Sequence, residues 1–209
     1  MTQADSLTLP PNPTSRWLRI AGPLAVTLGM IVVLRLMGRV WLCQHEGWIL
    51  YVADVWTSAH TSQHLADSYS WSHLLHGVIF YWVAVLLCRL IRITPLTGRP
   101  LSISFVAALL VEAGWEILEN TPWVIDHYRQ NTASQDYTGD SILNSTGDLL
   151  ACALGFAIAR RIGWKRSLVL FIVVELAMLW RISDNLTLNV LMLLWPIQSI
   201  RQWQLSMAM

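Results

Sequence analysis

A chain of 209 residues that is 55% hydrophobic and only 13% charged is not composed like a soluble domain, where about a quarter of residues carry charge. A net charge of +1, with no basic run beyond short helix-flanking clusters, excludes nucleic acid as a partner. Three scattered cysteines without a CxxC pair argue against a disulfide framework or a thiolate zinc site, and the partner left by composition is a lipid bilayer.

The first 15 residues are polar and rich in Pro, Ser and Thr, and read as a disordered cytoplasmic tail; residues 16–209 read as a single transmembrane helical domain. A bilayer core of about 30 Å needs about 20 apolar residues in a helix. Runs at about 18–37, 72–92, 101–120 and 141–160 meet that need. Two shorter runs, about 167–182 and 186–200, flank Arg181-Ile-Ser-Asp184-Asn185 and read either as a fifth and a sixth crossing, the favoured reading, or as a tight pair with one half-buried member. The fold class is therefore all-α, a polytopic bundle of about six spans.

Between the first two spans lies a loop of about 34 residues, too long for a simple connector. Its apolar stretch Ile49-Leu-Tyr-Val-Ala-Asp-Val-Trp56 suggests a helix lying on the outer interface as a roof. A cytoplasmic N-terminus puts ten of the fourteen basic residues inside, among them Arg89, Arg92, Arg99, Arg160, Arg161, Lys165, Arg166 and Arg201. That is the asymmetry of a bacterial inner-membrane protein. The same threading sends all six histidines and most carboxylates to the outer side. The acids partly follow from the charge rule, but the histidines do not.

Three segments bring polar residues to that side at helical spacing. His73 and His76 share a helical face at i, i+3. Glu112, Glu116 and Glu119 recur at i, i+4, i+7, and Asp140, Asn144 and Asp148 at i, i+4, i+8. Each acid at membrane depth costs about 2.5–3.5 kcal/mol or more if it faces lipid, so these side chains are expected to face one another. The plainer alternatives are interfacial hydrogen bonding for the histidines, a packing network for the glutamates, and a helix N-cap for Asp140. Glu175, in mid-span, is expected to pair with Arg181 or a neighbouring helix.

The order of motifs is Ser62-Gln63-His64, Ser72-His73-x-x-His76-Gly77, Trp115-Glu116-Ile-x-Glu119-Asn120-Thr121 and Tyr128-Arg129. Tyr137-x-Gly-Asp140-Ser-x-x-Asn144-Ser-x-x-Asp148 and Asp184-Asn-Leu-Thr-Leu-Asn189 complete it. In this order the chain resembles an uncharacterised bacterial family of polytopic inner-membrane proteins known as a domain of unknown function. The middle half is more distantly similar to the VanZ-like family. That likeness aligns Glu116 or Glu119, Arg129, Asp140, Asn144 and Gly147 with a recurring acid, loop arginine and Asp-x-x-x-Asn-x-x-Gly start. The paired histidines and the outer loop depart from it, and neither likeness implies a mechanism.

Three functions fit these residues. The first is a hydrolase or transferase acting on a lipid-linked substrate at the outer leaflet. In one version a divalent metal would sit on His73, His76 and Glu112, with Glu116, Glu119, Asp140 and Asp148 as candidate catalytic acids and bases; in a metal-free version Glu116 or Glu119 would be the general base. Arg129, Asn144 and His64 would bind substrate. The second is a non-catalytic binder or carrier of a proton, a cation or a cationic ligand, and the third an accessory membrane subunit.

Overall fold

The protein is described by a computed structural model over residues 13–45, 49–54, 59–93 and 96–208. Eight helices dominate it: α1 (Pro13–Leu36), α2 (Ser70–Leu90), α3 (Gly98–Glu119), α4 (Pro122–Asn131), α5 (Ile142–Ile162), α6 (Trp164–Ile182), α7 (Leu186–Leu194) and α8 (Gln198–Ala208). Two-residue strands β1 (Tyr51–Val52) and β2 (Ala66–Asp67) pair in parallel. The fold is all-α. Residues 1–12 of the expected tail lie outside the described residues, and 13–15 already belong to α1, whose opening proline suits a first helical turn.

Helices α1, α2, α3 and α5 are each long and apolar enough to cross a membrane. Their outward faces are apolar, as Leu24, Leu28 and Val32 on α1 and Leu150 and Leu154 on α5 illustrate. Inside, one apolar cluster joins α2, α5 and α6 through Leu75, Val78, Phe156 and Met178. Another joins α1, α3 and α5 through Met30, Leu34, Leu109 and Leu149. Near-equal apolarity inside and out is what a bilayer permits, since lipid offers no hydrophobic drive and helices must be held by close packing.

That packing is closest between α2 and α5. A Cβ added at Gly77 would lie 1.9 Å from the Cys152 carbonyl oxygen, and one at Gly155 would lie 1.9 Å from that of Leu74. The two backbones touch because neither glycine carries a side chain, and this contact sets His73 on α2 against Asp148 on α5.

Five ends meet at one pole of the bundle. Ile142 N–H, at the start of α5, donates to the Val40 carbonyl just past α1. Asn120, at the end of α3, is bonded to Asp140, and Tyr69, before α2, donates to Asp184 after α6. Helix α6 therefore returns to the pole where α5 began. It matches a span in length but carries Lys165, Arg166, Glu175 and Arg181.

The run at 186–200 does not form one crossing helix. It breaks at Trp195-Pro196-Ile197, where proline removes a donor and disfavours helix at the residue before it. Helix α7 has nine residues and reaches only about 14 Å. Helix α8 folds back over the same pole: Arg201 Nε donates to the Thr132 carbonyl at 3.1 Å, and Gln204 Nε2 to that of Ser183 at 3.2 Å. Arg201, expected among the inner basic residues, thus sits at the pole opposite Arg89 and Arg160. Glu175 pairs not with Arg181 but with a neighbouring helix, the other arm of the expectation. Its carboxylate accepts from the N–H groups of Leu186 and Thr187 at 2.9 and 3.1 Å, and from the Thr187 hydroxyl, seating an anion at the N-terminus of α7.

The expected interfacial helix over 49–56 is absent from its described part, where Tyr51 and Val52 are strand; residues 55 and 56 lie outside the described residues. Pairing with Ala66 and Asp67 satisfies backbone groups that a helix would have bonded internally.

Candidate functional site

A cavity of about 520 Å³ occupies the pole where the helix ends converge. Among its lining residues Glu112 on α3 is fully buried. Both histidines of α2 close on it: His73 Nδ1 lies 2.6 Å from Oε1 and His76 Nδ1 lies 2.9 Å from Oε2. The i, i+3 spacing places the two rings one above the other, 5.2 Å apart, and one carboxylate serves both. His76 is further walled by Phe80 and Trp115.

Glu116, one turn along α3, is fully buried and neither carboxylate oxygen has a hydrogen-bond donor. His73 Nδ1 stands 3.2 Å from its Oε1, out of line for a bond because that nitrogen is turned to Glu112. A buried carboxylate without donors is costly in a bare protein and is the natural place for a cation. Across the cleft, Asp148 accepts from Ser70 Oγ at 2.5 Å, and its Oδ2 lies 4.0 Å from His73 Nε2.

Two ligand sets, His73/His76/Glu112 and His73/Glu116/Glu119, each gather within 4.8 Å. The first has two imidazoles and one carboxylate beside a cavity, the donor set of a catalytic zinc that keeps an open position. The nitrogen–oxygen distances of 2.6 and 2.9 Å are below the roughly 3.4 Å between neighbouring ligands of a tetrahedral zinc, so an entering cation would move the rings outward by under an ångström and displace their protons. The residues fit a divalent metal.

The rim is a hydrogen-bonded collar. Asp140 accepts from Tyr137 OH at 2.9 Å and Asn120 Nδ2 at 2.8 Å, and its N–H donates to Asn120 Oδ1 at 2.7 Å. The cap of α5 is Ser141, which accepts from Asn144 N–H, so Asp140 is not the N-cap that its position suggested. Burial raises the carboxyl of Asp140 above its ordinary value despite these donors, and does the same to Asp67, which accepts from Ser62 and Tyr69.

Burial also raises Asp184 to about 7, against the opposing hydrogen bond from Tyr69 OH at 2.9 Å; Glu175 nearby pushes it the same way as burial. An unfolded aspartate titrates near 4, so the folded chain holds this proton more tightly. The stabilisation is complete below about pH 4 and is lost as pH rises towards 7. The detergent-solubilised protein is expected to lose thermal midpoint between about pH 5 and pH 8, and Asp184→Asn to remove part of that fall. An unchanged slope would contradict the assignment.

The fold brings together His73, His76, Glu112, Glu116, Glu119, Asp140, Asn144 and Asp148, from α2, α3 and α5 with the segment before α5. It does not bring in Arg129, which lies on α4, donates to the Tyr137 carbonyl at 2.6 Å, and does not line the cavity. His64 also stands apart: its carbonyl accepts from Asn144 Nδ2 at 2.9 Å while its ring turns to His60. Sequence reasoning assigned no site role to Tyr69, Asp184, Asn189 and Gln204, which line the same cavity. The Asp184–Asn189 motif was a usable signal for two of them; Gln204 gave none.

The family model described as a protein of unknown function, DUF2585, matches residues 34–206. A UPF0314 protein of Sinorhizobium fredii is 45% identical over 190 residues, covering 91% of this chain and 92% of the relative. One of Agrobacterium fabrum is 44% identical over 189 residues, covering 90% of each. One of Brucella anthropi is 38% identical over 187 residues, covering 85% of this chain and 90% of the relative. No solved structure matches the chain. The VanZ-like likeness is not supported by these matches, whereas the first resemblance is, over most of the chain's length: the chain belongs to the DUF2585 family, whose bacterial members matched here are UPF0314 proteins.

Proposed function

We propose that the protein is a metal-dependent hydrolase or transferase of the bacterial inner membrane, acting on an amphiphilic substrate from the outer leaflet. The observation that carries this reading is the convergence of His73, His76 and Glu112 within 4.8 Å beside a cavity also lined by Glu119, Asp140 and Asp148. A divalent cation held there would supply a polarised substrate oxygen and a bound water acidic enough to ionise near neutral pH. Glu116, lacking any donor of its own, is placed to take a proton, and Asn144 and Tyr137 hold the rim.

The lining bears on the substrate. Seven carboxylates line the cavity, and among the described residues no lysine or arginine does. An anionic head group is therefore accepted only through the metal, and a cationic one directly. This replaces the substrate role given to Arg129. On the apolar wall, Val111 and Val190 both line the cavity and face outward from the bundle, 58% and 41% exposed. That double exposure supports sideways entry of an acyl chain.

Orientation follows from charge. Arg89, Arg160, Arg161, Lys165 and Arg166 occupy the pole opposite the cavity, and the positive-inside rule puts that pole in the cytoplasm. Helices α7 and α8 then cover the site on the outer face. The acidic lining also favours a second reading, a binder of cations or cationic ligands without turnover.

The test is to reconstitute metal-loaded protein in vesicles of bacterial inner-membrane lipid extract and follow lipid loss by mass spectrometry. The enzyme reading expects a lipid species to be consumed by the wild type and not by Glu116→Gln that retains its metal. Metal-loaded wild type that consumes none would favour the binder.

A further inference from the structure

The loop between α1 and α2 carries Cys43, His45, His60 and His64, half of the chain's six histidines and one of its three cysteines. Their spacing gives no metal motif, and the cysteine count argued against a thiolate site. The fold nevertheless gathers them. Cys43 Sγ lies 3.4 Å from His60 Nδ1, and His60 Nδ1 lies 3.1 Å from His64 Nε2. The His45 ring stands 5.8 Å from that of His60.

We propose that Cys43, His60 and His64 form a second metal site, for zinc. Three observations carry it. First, one ligand atom from each of the three residues falls within 4.8 Å of the others. Second, in a tetrahedral zinc site with Zn–N near 2.1 Å and Zn–S near 2.3 Å, neighbouring ligand atoms are about 3.4 to 3.6 Å apart, close to the separations seen. Third, His60 Nδ1 faces both a sulfur and a second imidazole nitrogen, yet a ring nitrogen has either one proton or one lone pair to offer. A shared cation satisfies all three atoms at once. One thiolate with imidazoles suits zinc better than magnesium or calcium, which take oxygen ligands.

The site would fasten the roof of the cavity. The Ser62 carbonyl accepts from Ser141 N–H at 2.9 Å and the Gln63 carbonyl from Ser141 Oγ at 3.0 Å, at the start of α5. Ser62 N–H also donates to Asp67 at 3.0 Å, and Asp67 lines the cavity. A metal two residues beyond Ser62 would therefore brace the collar without touching the candidate catalytic cluster.

The experiment is alkylation of Cys43 in full-length, detergent-purified protein, with and without added zinc, read peptide by peptide by mass spectrometry. Buried Cys88 and Cys152 serve as references for intact folding. Zinc is expected to slow Cys43 modification at least about tenfold in the wild type, and to have no effect in His60→Ala or His64→Ala. Should those variants misfold, zinc X-ray absorption on the Glu112→Gln protein gives the same answer: one sulfur at about 2.3 Å supports the site. Equal alkylation with and without zinc in folded wild type, or a zinc shell without sulfur, overturns it. Metal at His73 and His76 is tested separately, in Cys43→Ser protein, which leaves that cluster intact.

Discussion

Glu112→Gln is expected to weaken metal binding at the deep site by about a hundredfold or more, roughly 3 kcal/mol, while leaving the helices assembled. The amide has the volume of the carboxylate, so the packing of α3 is kept. Its charge is gone, and one of its two oxygens becomes an NH2 that cannot accept from an imidazole N–H. His73 and His76 lose the shared acceptor that fixes both rings, and the metal loses the one carboxylate of its His/His/Glu set. Titration with zinc or manganese, beside a thermal melt, reads both halves. Unchanged affinity in a folded variant would move the metal to His73, Glu116 and Glu119 or to the Cys43 loop cluster.

Gly155→Leu is expected to prevent assembly of the bundle. A Cβ alone at this position would stand 1.9 Å from the Leu74 carbonyl oxygen, a backbone atom that cannot swing aside. The helices must part by several ångströms, opening the α2–α5 seam that sets His73 against Asp148. Overpacking a soluble core costs about 1–3 kcal/mol, and a clash with backbone in a small-residue helix seam exceeds that range. The expected readouts are loss of the monodisperse peak in detergent and loss of metal. A variant that melts like the wild type would show that α2 and α5 do not cross as closely as described.

Both variants probe features of unequal visibility in the sequence. The span at 101–120 maps onto α3, Gly98–Glu119, because continuous apolarity over a bilayer thickness has few other solutions. The deep cluster was legible for a related reason. Acids and histidines at helical spacing inside apolar runs must find one another, and His73, Glu112 and Asp148 do. Apolarity alone did not show whether a 15-residue run crosses or folds back. Residues 186–200 broke at Pro196, and α8 is held at the cavity pole by the contacts of Arg201 and Gln204 with the carbonyls of Thr132 and Ser183. The Cys43–His60–His64 cluster was hidden because its members approach only after the loop closes on β1 and β2. Arg129 misled because nearness in sequence to Glu119 and Asp140 says nothing of the direction in which α4 projects it.

The most direct test of the central claim is elemental analysis of purified Cys43→Ser protein, in which the loop cluster has lost its thiolate, beside the same protein carrying His73→Ala and His76→Ala. The account predicts close to one equivalent of a divalent transition metal in the first and none in the second, with both folded. A well-folded Cys43→Ser protein that takes up no metal even after incubation with zinc, manganese or iron would contradict it, and the carboxylates around Glu116 would then be a proton-sharing or ligand-binding cluster.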